Sequence, residues 1–506
     1  MKPLKTLYLC YFGLREPLVQ TQVLPYLREL RRGGVEVHLL TFEPNRRAAW
    51  RPEEERTWRV RLEGEGIRWH ALAYHKSPSV LVTPYDILQG AWTAARLART
   101  ERIDVLHARG HLPMAMALLA RRWCGARLLF DIRGLLAEEY EEAGVWRKDS
   151  PQYRAVRAVE RAGLKQSAQL IVLTRRLRDL LVERGLARAE RIEVVPCCVD
   201  FARFAAAPGD DGARALAEDE GGRRAVVEDE REERAVVEVE SERRAFVETA
   251  DAQGAARAAR NGSPDVSARE GSDREGGGDR EGGDREGGGD REGGDREDGG
   301  DREGGDTEGR FEVVTAGSVT GLYLLEEMGR FFLAVKRQHP GAFLRILTMS
   351  SATEAAATLE RAGLSREDFW IGGVKPAEVP AYLQRARLGL SFRKATFSQI
   401  AASPTKIPEY LAAGLPTVCN AGIGDTDDIL TRSRVGVIVR DFEEETLAEA
   451  ARAALALADE TGVRARAVET AHRHFDLARV GGVGYRNAYR RLAEETAGAF
   501  VIPENT

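Results

Sequence analysis

The sequence predicts two α/β domains, each built on a parallel, doubly wound sheet, and a long low-complexity segment that joins them. Short apolar runs alternate with stretches of helical spacing over residues 1–204 and again from residue 311 onward. The apolar runs are continuous instead of alternating with polar residues, which is typical of strands covered on both faces. Residues 205–310 differ sharply in composition. Since 506 residues exceed what one hydrophobic core holds, we expect two domains and a linker.

The first domain, residues 1–204, begins with a predicted strand at 6–12, which Gly13 and a polar loop follow. The further predicted strands are 35–42, 67–73, 103–107, 126–132, 170–173 and 192–197. The predicted helices are 22–30, 86–99, 112–123, 153–165 and 175–184. This alternation is typical of a Rossmann-like domain, in which ligands bind beyond the carboxyl ends of the strands.

Polar residues follow several of these strand ends. Gly13 would let the backbone approach a ligand closely, although a turn glycine is the simpler interpretation. His107 could bind a hydroxyl group or share a proton, and a histidine satisfied locally in a loop is equally compatible. Asp131 and Arg133 form a charged pair beside Gly134, and helix capping by Asp131 is the alternative. We therefore predict Gly13 as a binding residue and His107 and Asp131 as catalytic candidates.

Residues 205–310 predict a charged, glycine-rich linker. An Arg-Ala-Val/Phe-Val-Glu unit recurs three times with a period of ten between 224 and 248, and Asp-Arg-Glu-Gly-Gly then repeats from Asp273 to Gly305. Such a composition buries too little apolar surface to offset the entropy of ordering, so we expect the second half of this linker to be disordered. A charged helix over the three ten-residue units is an alternative.

Charge is divided unevenly along the chain. Residues 1–204 hold 35 Lys and Arg against 24 Asp and Glu, whereas residues 205–310 hold 17 Arg against 32 acidic residues. The basic first domain would suit an anionic membrane surface, although Arg on solvated helices explains much of that charge. No apolar run is long enough to span a bilayer, and residues 1–12 predict a strand instead of a signal peptide. Five cysteines without disulfide or metal spacing favour the cytoplasm, and no nucleic-acid partner is predicted.

The second domain restarts at residue 311, and we place its end at 480, with a C-terminal helix and tail at 481–506. Its predicted strands are 312–316, 343–348, 369–372, 388–392, 417–419 and 435–439. Its predicted helices are 322–336, 353–362 and 377–385, one that opens near Ser403, and closing helices at 443–458 and 485–495.

The helix that opens near Ser403 carries the strongest functional signal. Ser403 is a preferred capping residue, Pro404 suits the first helical position, and Lys406 adds a positive charge where the free N–H groups of a helix start attract phosphate. Glu409, about one turn further on, can accept two hydroxyl hydrogen bonds, as a ribose would offer. A capped surface helix is the alternative, and Pro408 suggests that the helix begins later than Ser403.

This stretch, TFSQIAASPTKIPEYLAAGLPTVCN, resembles the nucleotide-sugar site of glycosyltransferase family 4 (glycosyl transferases group 1), in the branch with Ser-Pro-Thr-Lys before the helix glutamate. YFGLREPLVQTQVLPYL, FDIRGLLAEEY and IEVVPCCVDFARF are similar to other segments of that family. The resemblance implies the GT-B architecture, with the donor nucleotide on the second domain, the acceptor against the first, and the last helix packed back on the first domain.

The resemblance also implies roles for residues of the second domain. Gly317 and Ser318 are candidates for a phosphate loop, and the backbone around Val374 would face the base of a UDP- or GDP-sugar. Arg393, Lys394, Thr405 and Lys406 would form a cationic and polar clamp that stabilises the charge on the leaving diphosphate, with no metal and no further cofactor. The run Asp425-Thr426-Asp427-Asp428 looks like a metal-binding Asp-X-Asp, but its position after glycines predicts a helix cap instead.

Two positions depart from the family pattern. The first glutamate of the usual Glu-X7-Glu pair is Ala401 here, and Ser318 and Gly321-Leu322-Tyr323 stand where an Arg and a Lys often bind the diphosphate. The first departure puts the sugar contact in doubt, and the second shifts the diphosphate contacts to Lys406 and Arg393.

The expected activity is transfer of a sugar from a nucleotide-sugar to a hydroxyl of a glycan or lipid-linked acceptor, by a retaining, hexosyltransferase-type enzyme. One alternative is a sugar-nucleotide 2-epimerase on the same architecture, although no histidine of the second domain is close in sequence to the Ser403–Glu409 motif. The other alternative is a non-enzymatic scaffold that works through the linker.

Overall fold

A computed structural model describes residues 3–44, 50–75, 79–205 and 310–498 of the chain. Apart from its terminal residues Ala205 and Arg310, the predicted linker lies outside these ranges, as does the charged helix considered within it. The described residues of both sheets belong to one compact unit.

The first sheet has seven parallel strands. They are Lys5–Leu9 (β1), Glu36–Pro44 (β2), Ile67–Tyr74 (β3), Val105–Arg109 (β4), Arg127–Ile132 (β5), Gln169–Val172 (β6) and Ile192–Val194 (β7). Their order in the sheet is β3-β2-β1-β4-β5-β6-β7. The helices of this half are Pro17–Gln22 (α1), Leu24–Arg32 (α2), Pro52–Gly64 (α3), Ser79–Thr100 (α4), His111–Cys124 (α5), Leu136–Glu142 (α6), Pro151–Gln166 (α7), Arg175–Glu183 (α8) and Ala202–Ala205 (α9).

The second sheet repeats this arrangement with six parallel strands. They are Glu312–Ala316 (β8), Phe343–Leu347 (β9), Phe369–Gly372 (β10), Leu388–Ser391 (β11), Thr417–Asn420 (β12) and Gly436–Val439 (β13), in the order β10-β9-β8-β11-β12-β13. The helices are Leu325–Gln338 (α10), Ala352–Arg361 (α11), Val379–Arg385 (α12), Lys406–Ala412 (α13), Thr426–Ser433 (α14), Glu444–Asp459 (α15), Val463–Phe475 (α16) and Gly482–Gly498 (α17).

The predicted doubly wound fold is confirmed, and its cause lies in the strands. Successive residues point to opposite faces, so Leu7 and Leu9 enter one hydrophobic cluster of the first sheet while Tyr8 enters the other. In each sheet the strand order reverses beside the first strand, between β1 and β4 and between β8 and β11. These reversals are the switch points at which doubly wound sheets bind ligands.

The last helix, α17, returns from the second half and packs on the first sheet. Tyr485 and Tyr489 are buried in the same cluster as Tyr8. The Tyr485 hydroxyl donates to Asp131 Oδ2 at 2.7 Å, and the Tyr489 hydroxyl lies 2.7 Å from Thr6 Oγ1. The chain therefore crosses between the two halves a second time, and hydrogen bonds beneath α17 fix where it returns.

Replacing Tyr485 by Phe should lower the free energy of unfolding by about 1–3 kcal/mol, because the buried carboxylate of Asp131 loses a donor. The midpoint of urea denaturation measures the effect. Val483→Ala is the control, since Val483 lies on the same helix and is 40% exposed, so its change should stay below about 0.5 kcal/mol. Equal effects of the two substitutions would show that the hydrogen bond does not hold α17.

Candidate functional site

The first half of the structure contains the sheet β1–β7, and the second half contains the sheet β8–β13. The two halves meet beyond the carboxyl ends of both sheets. Hydrogen bonds with a donor in one half and an acceptor in the other join them: Cys197 N to Ser403 Oγ (3.1 Å), Thr174 Oγ1 to the Ile400 carbonyl (2.6 Å), Ser398 N to Glu142 Oε1 (2.9 Å) and Arg175 N to Asp425 Oδ2 (2.7 Å). This junction brings the predicted acceptor and donor regions to one place.

Lys406 ties the loop after β8 to the first turn of α13. Its ammonium donates to the carbonyls of Ala316 and of Ser318, the latter at 2.9 Å, and lies 4.4 Å from the centre of the Tyr323 ring. The residue is only 2% exposed, and a buried ammonium is tolerated only with such partners. Gly317 has φ +91°, and a Cβ there would lie 3.1 Å from Lys406 Nζ, so this loop requires glycine.

Arg393 follows β11 on the other side of the switch point. Its Nε donates to Gln399 Oε1 at 2.8 Å and its Nη1 donates to the Tyr323 hydroxyl at 3.1 Å. The guanidinium lies 4.7 Å from the centre of the Tyr323 ring. Arg393 and Lys406 thus converge on one aromatic side chain, that of Tyr323. Tyr323 stands in the run where the family pattern often has an Arg and a Lys, so its sequence position predicted no such role.

Glu409 lies on α13 and already has a partner. Its Oε1 accepts from Arg203 Nη1 at 3.0 Å, and Arg203 Nη2 donates to the Pro376 carbonyl at 3.1 Å. Pro376 directly follows the 372–375 loop that was predicted to face the base. Arg203 therefore links the predicted ribose and base sites. The sequence gives no signal for this contact, because Arg203 and Glu409 are 206 positions apart.

The helix that carries Lys406 begins later than Ser403. Its first residue is Lys406, and the side chain of Thr405 makes no capping hydrogen bond. Ser403 Oγ instead accepts a hydrogen bond from the backbone N–H of Cys197 in the first half. The predicted capping role of Ser403 is wrong because Pro408 lacks an N–H. With Lys406 first, Pro408 is the third helical residue, where the N–H has no intrahelical acceptor.

The first half has a recognisable family signature. Residues 19–198 match the model of a glycosyl transferase 4-like domain. No curated protein sequence matches the chain.

Solved structures extend the likeness to both halves. Sucrose-phosphate synthase from Thermosynechococcus elongatus superimposes with a TM-score of 0.58 at 11% identity, over 97% of this chain and 100% of that one. Anabaena Alr3699/HepE in complex with UDP and glucose gives 0.56 at 12% identity, over 98% and 99%. A glycosyltransferase from Rickettsia africae ESF-5 gives 0.54 at 12% identity, over 99% and 100%. At such identities the likeness shows the fold, and it confirms the predicted GT-B architecture.

Two predicted catalytic residues of the first half are not at the junction. His107 and Asp131 are fully buried beneath α17. His107 Nδ1 lies 3.0 Å from the Tyr489 hydroxyl, and the Asp131 carboxylate contacts Arg109, Arg133 and Tyr485. Neither side chain can touch a substrate in this conformation, and Asp131 caps no helix. The correction is that both residues anchor the returning helix.

Burial and the neighbouring arginines determine the charges of His107 and Asp131. Burial lowers the pKa of His107, despite the nearby Asp131, and keeps the ring neutral. Burial alone would raise the pKa of Asp131, but Arg133, His107 and Arg109 together hold it well below its usual range. The cluster therefore contains one carboxylate shared by two guanidinium groups.

Gly13 and Val374, which were predicted to contact the donor, are both involved in packing. A Cβ on Gly13 would lie 2.8 Å from Pro44 Cδ, so packing within the first half accounts for the glycine. The Val374 side chain packs against a hydrophobic cluster that contains Ile407 and Tyr410, which leaves its backbone for a ligand. Gly317 and Ser318 lie in the loop that Lys406 holds.

The acidic run after residue 424 has a structural role. Asp425 precedes α14, as predicted for a cap, but its carboxylate accepts from the backbone N–H groups of Arg175 and Arg176, at the start of α8. Asp427 Oδ2 lies 3.3 Å from Arg176 Nη2 and accepts from Gly422 N. Within the described ranges, no group of three or more His, Cys, Asp or Glu is arranged to hold a metal ion.

His107→Asn should weaken the pH dependence of stability. The folded ring resists protonation, so wild-type protein loses stability as the pH falls below about 6.5, where the unfolded chain binds a proton. In the variant, the slope of the free energy of unfolding between pH 5 and 6 should fall by up to about 1.4 kcal/mol per pH unit.

Tyr489→Phe is the matched control for this titration. It removes the hydroxyl 3.0 Å from His107 Nδ1 but keeps the imidazole, so stability should fall without a smaller slope. An unchanged slope in His107→Asn would contradict a buried neutral histidine.

Proposed function

We propose that the protein is a glycosyltransferase that uses a nucleotide-sugar donor. The observation that carries the proposal is the convergence of Lys406 and Arg393 on Tyr323, beside the Gly317 loop, at the switch point of the second sheet. Negative charge develops on the diphosphate as it leaves the sugar, and fixed cations and N–H groups stabilise it. The similar Anabaena protein has been solved in complex with UDP and with UDP-glucose, which supports the same class of donor.

The donor would lie along the carboxyl edge of the second sheet. Its diphosphate would contact the loop of Gly317 and Ser318 and the cations Lys406 and Arg393. Glu409 would bind the ribose hydroxyls, and the backbone at Val374 would face the base. Lys406 acts in two ways, because its bonds to the Ala316 and Ser318 carbonyls also hold the loop in place. We infer a UDP- or GDP-sugar and neither a metal ion nor a further cofactor.

The acceptor would enter from the first half. In a retaining transfer, the acceptor oxygen bonds to the anomeric carbon on the face from which the diphosphate departs, and a diphosphate oxygen takes the acceptor's proton. The position of the missing family glutamate, Ala401, is fully buried in the core of the first half, so no side chain there reaches the sugar. A hydroxyl of a glycan or of a lipid-linked sugar fits this hexosyltransferase-type chemistry, and a cytoplasmic location stays a prediction.

An epimerase on the same fold requires a histidine close to the sugar. The histidines described in the second half have other surroundings: His339 lies beside Phe311, His472 stacks on Phe201, and His474 lies beside Phe475. The proposal and this alternative are separated by incubating the protein with UDP-glucose or GDP-mannose. A transferase releases free nucleotide only when an acceptor is present, whereas an epimerase changes the sugar nucleotide without one.

A scaffold that works through the linker makes a different forecast. Deleting residues 211–308 should leave the transferase reaction intact, whereas a scaffold should lose its partner. A shift of the unfolding temperature with UDP, GDP or ADP identifies the base, because a ligand that binds only the native state stabilises it.

Lys406→Met should reduce turnover by about 10²-fold or more, because it removes a fixed cation and two bonds that hold the phosphate loop. Nucleotide release in the presence of acceptor measures the effect. Lys394→Met is the matched comparison. Lys394 was predicted in the same clamp and lies next to Arg393, but it is exposed, so the variant should keep most of the turnover. Full turnover in Lys406→Met would refute the site.

Glu409→Gln should weaken binding of the nucleoside diphosphate about tenfold, because an amide accepts ribose hydroxyls less well than a carboxylate. Arg203→Ala should strengthen that binding a few-fold, since the ribose no longer competes with the ion pair at Glu409. Isothermal titration with UDP, or the nucleotide that the thermal screen selects, measures both. Weaker binding in Arg203→Ala would show instead that Arg203 contacts the nucleotide.

A further inference from the structure

The outer face of α4 and α5 exposes large apolar side chains. Tyr85, Leu88 and Trp92 follow one another at helical spacing on α4 and are 52%, 59% and 59% exposed. Trp123, near the end of the neighbouring α5, is 52% exposed. Isolated exposed apolar residues need no explanation, but a stripe with three of them within eight residues marks an interaction surface.

The exposed charged side chains of α4 and α5 are all positive. The only acidic residue of α4 is Asp86, which is buried and bonds the Tyr11 hydroxyl and the His75 ring, and α5 has none. Arg96 and Arg99 continue the stripe of α4 toward its end and are exposed, and Arg122 is exposed on α5. The Arg96 guanidinium lies 5.7 Å from the centre of the Trp92 ring.

We propose that this face docks on a bilayer that contains anionic lipid. Tyr and Trp rings favour the headgroup region, where one end is wet and the other apolar, and nearby arginines attract anionic headgroups. A second copy of the chain fits less well, because a two-fold contact would place the same arginines opposite each other. Within the described ranges, no helix is long and apolar enough to cross a bilayer, so the face would lie on the membrane surface.

The stripe of Tyr85, Leu88 and Trp92 begins on the same side of the first half as the junction. Asp86, one residue beyond Tyr85, accepts from the hydroxyl of Tyr11, just after β1, so the stripe starts near the carboxyl edge of the first sheet. A sugar on a lipid carrier would then reach the junction from the bilayer. That last step rests on the proposed function, whereas the docking does not.

Co-sedimentation of the full chain with vesicles tests the surface. The protein should bind vesicles of phosphatidylcholine with 30% phosphatidylglycerol, should not bind phosphatidylcholine alone, and should detach as salt is raised. Trp92→Ser should weaken binding about tenfold, and Arg96→Gln with Arg99→Gln should weaken it by more than tenfold, at about fivefold per arginine.

Matched controls lie elsewhere on the molecule. Val60→Ser removes an apolar side chain that is 64% exposed on α3, which packs on the opposite face of the first sheet. Arg330→Gln with Arg432→Gln removes two exposed arginines of the second half. Both controls should bind like wild type. Equal binding by Trp92→Ser, equal binding to neutral vesicles, or a dimer that Trp92→Ser dissociates would each overturn the proposal.

Transfer to a water-soluble acceptor separates the surface from the site. Trp92→Ser should leave that transfer unchanged while vesicle binding falls. If no variant, nor wild type, transfers sugar but vesicle binding still depends on Trp92 and the arginines, the proposed function fails and the docking surface stands.

Discussion

The candidate site depends on the burial of the Lys406 ammonium against backbone carbonyls. An ammonium out of water is costly unless its protons are bonded, and the Ala316 and Ser318 carbonyls supply that bonding. The contact requires a loop tight enough to bring both carbonyls around one nitrogen, and Gly317 with its positive φ allows it. It also fixes the distance between the end of β8 and the start of α13, so the loop after β8 keeps one position relative to that helix.

The first half completes this arrangement by closing on the turn Phe397–Ala401. Glu142 accepts from the N–H of Ser398, and Ala401 enters the hydrophobic core of the other half. A glutamate at position 401 would need a buried carboxylate among apolar side chains, which costs several kcal/mol unless it finds donors. The alanine is therefore explained by the junction, and the proposed contacts to the donor are assigned to Lys406 and Glu409 on α13 instead.

Local sequence patterns were sufficient for the fold. Continuous apolar runs located every strand to within a few residues, because a parallel sheet buries both faces of each strand. The patterns failed for α3 and α16, in which charged residues outnumber large apolar ones, and for the four-residue helix α9. Pro408 correctly indicated that α13 begins later than Ser403, whereas capping chemistry alone would have placed the start at Ser403.

The candidate site was predicted where its residues lie at strand ends or at a helix start. Gly317, Arg393, Lys406 and Glu409 lie at strand ends or a helix start, and a switch point gathers such positions regardless of the loops between them. His107 and Asp131 also follow strands, yet α17, more than 350 residues later in the sequence, covers them with Tyr485 and Tyr489. Nothing near residue 107 or 131 announces that cover, and nothing near Glu409 announces Arg203. Contacts made by the returning chain therefore decide which strand-end residues meet a substrate and which become part of the core.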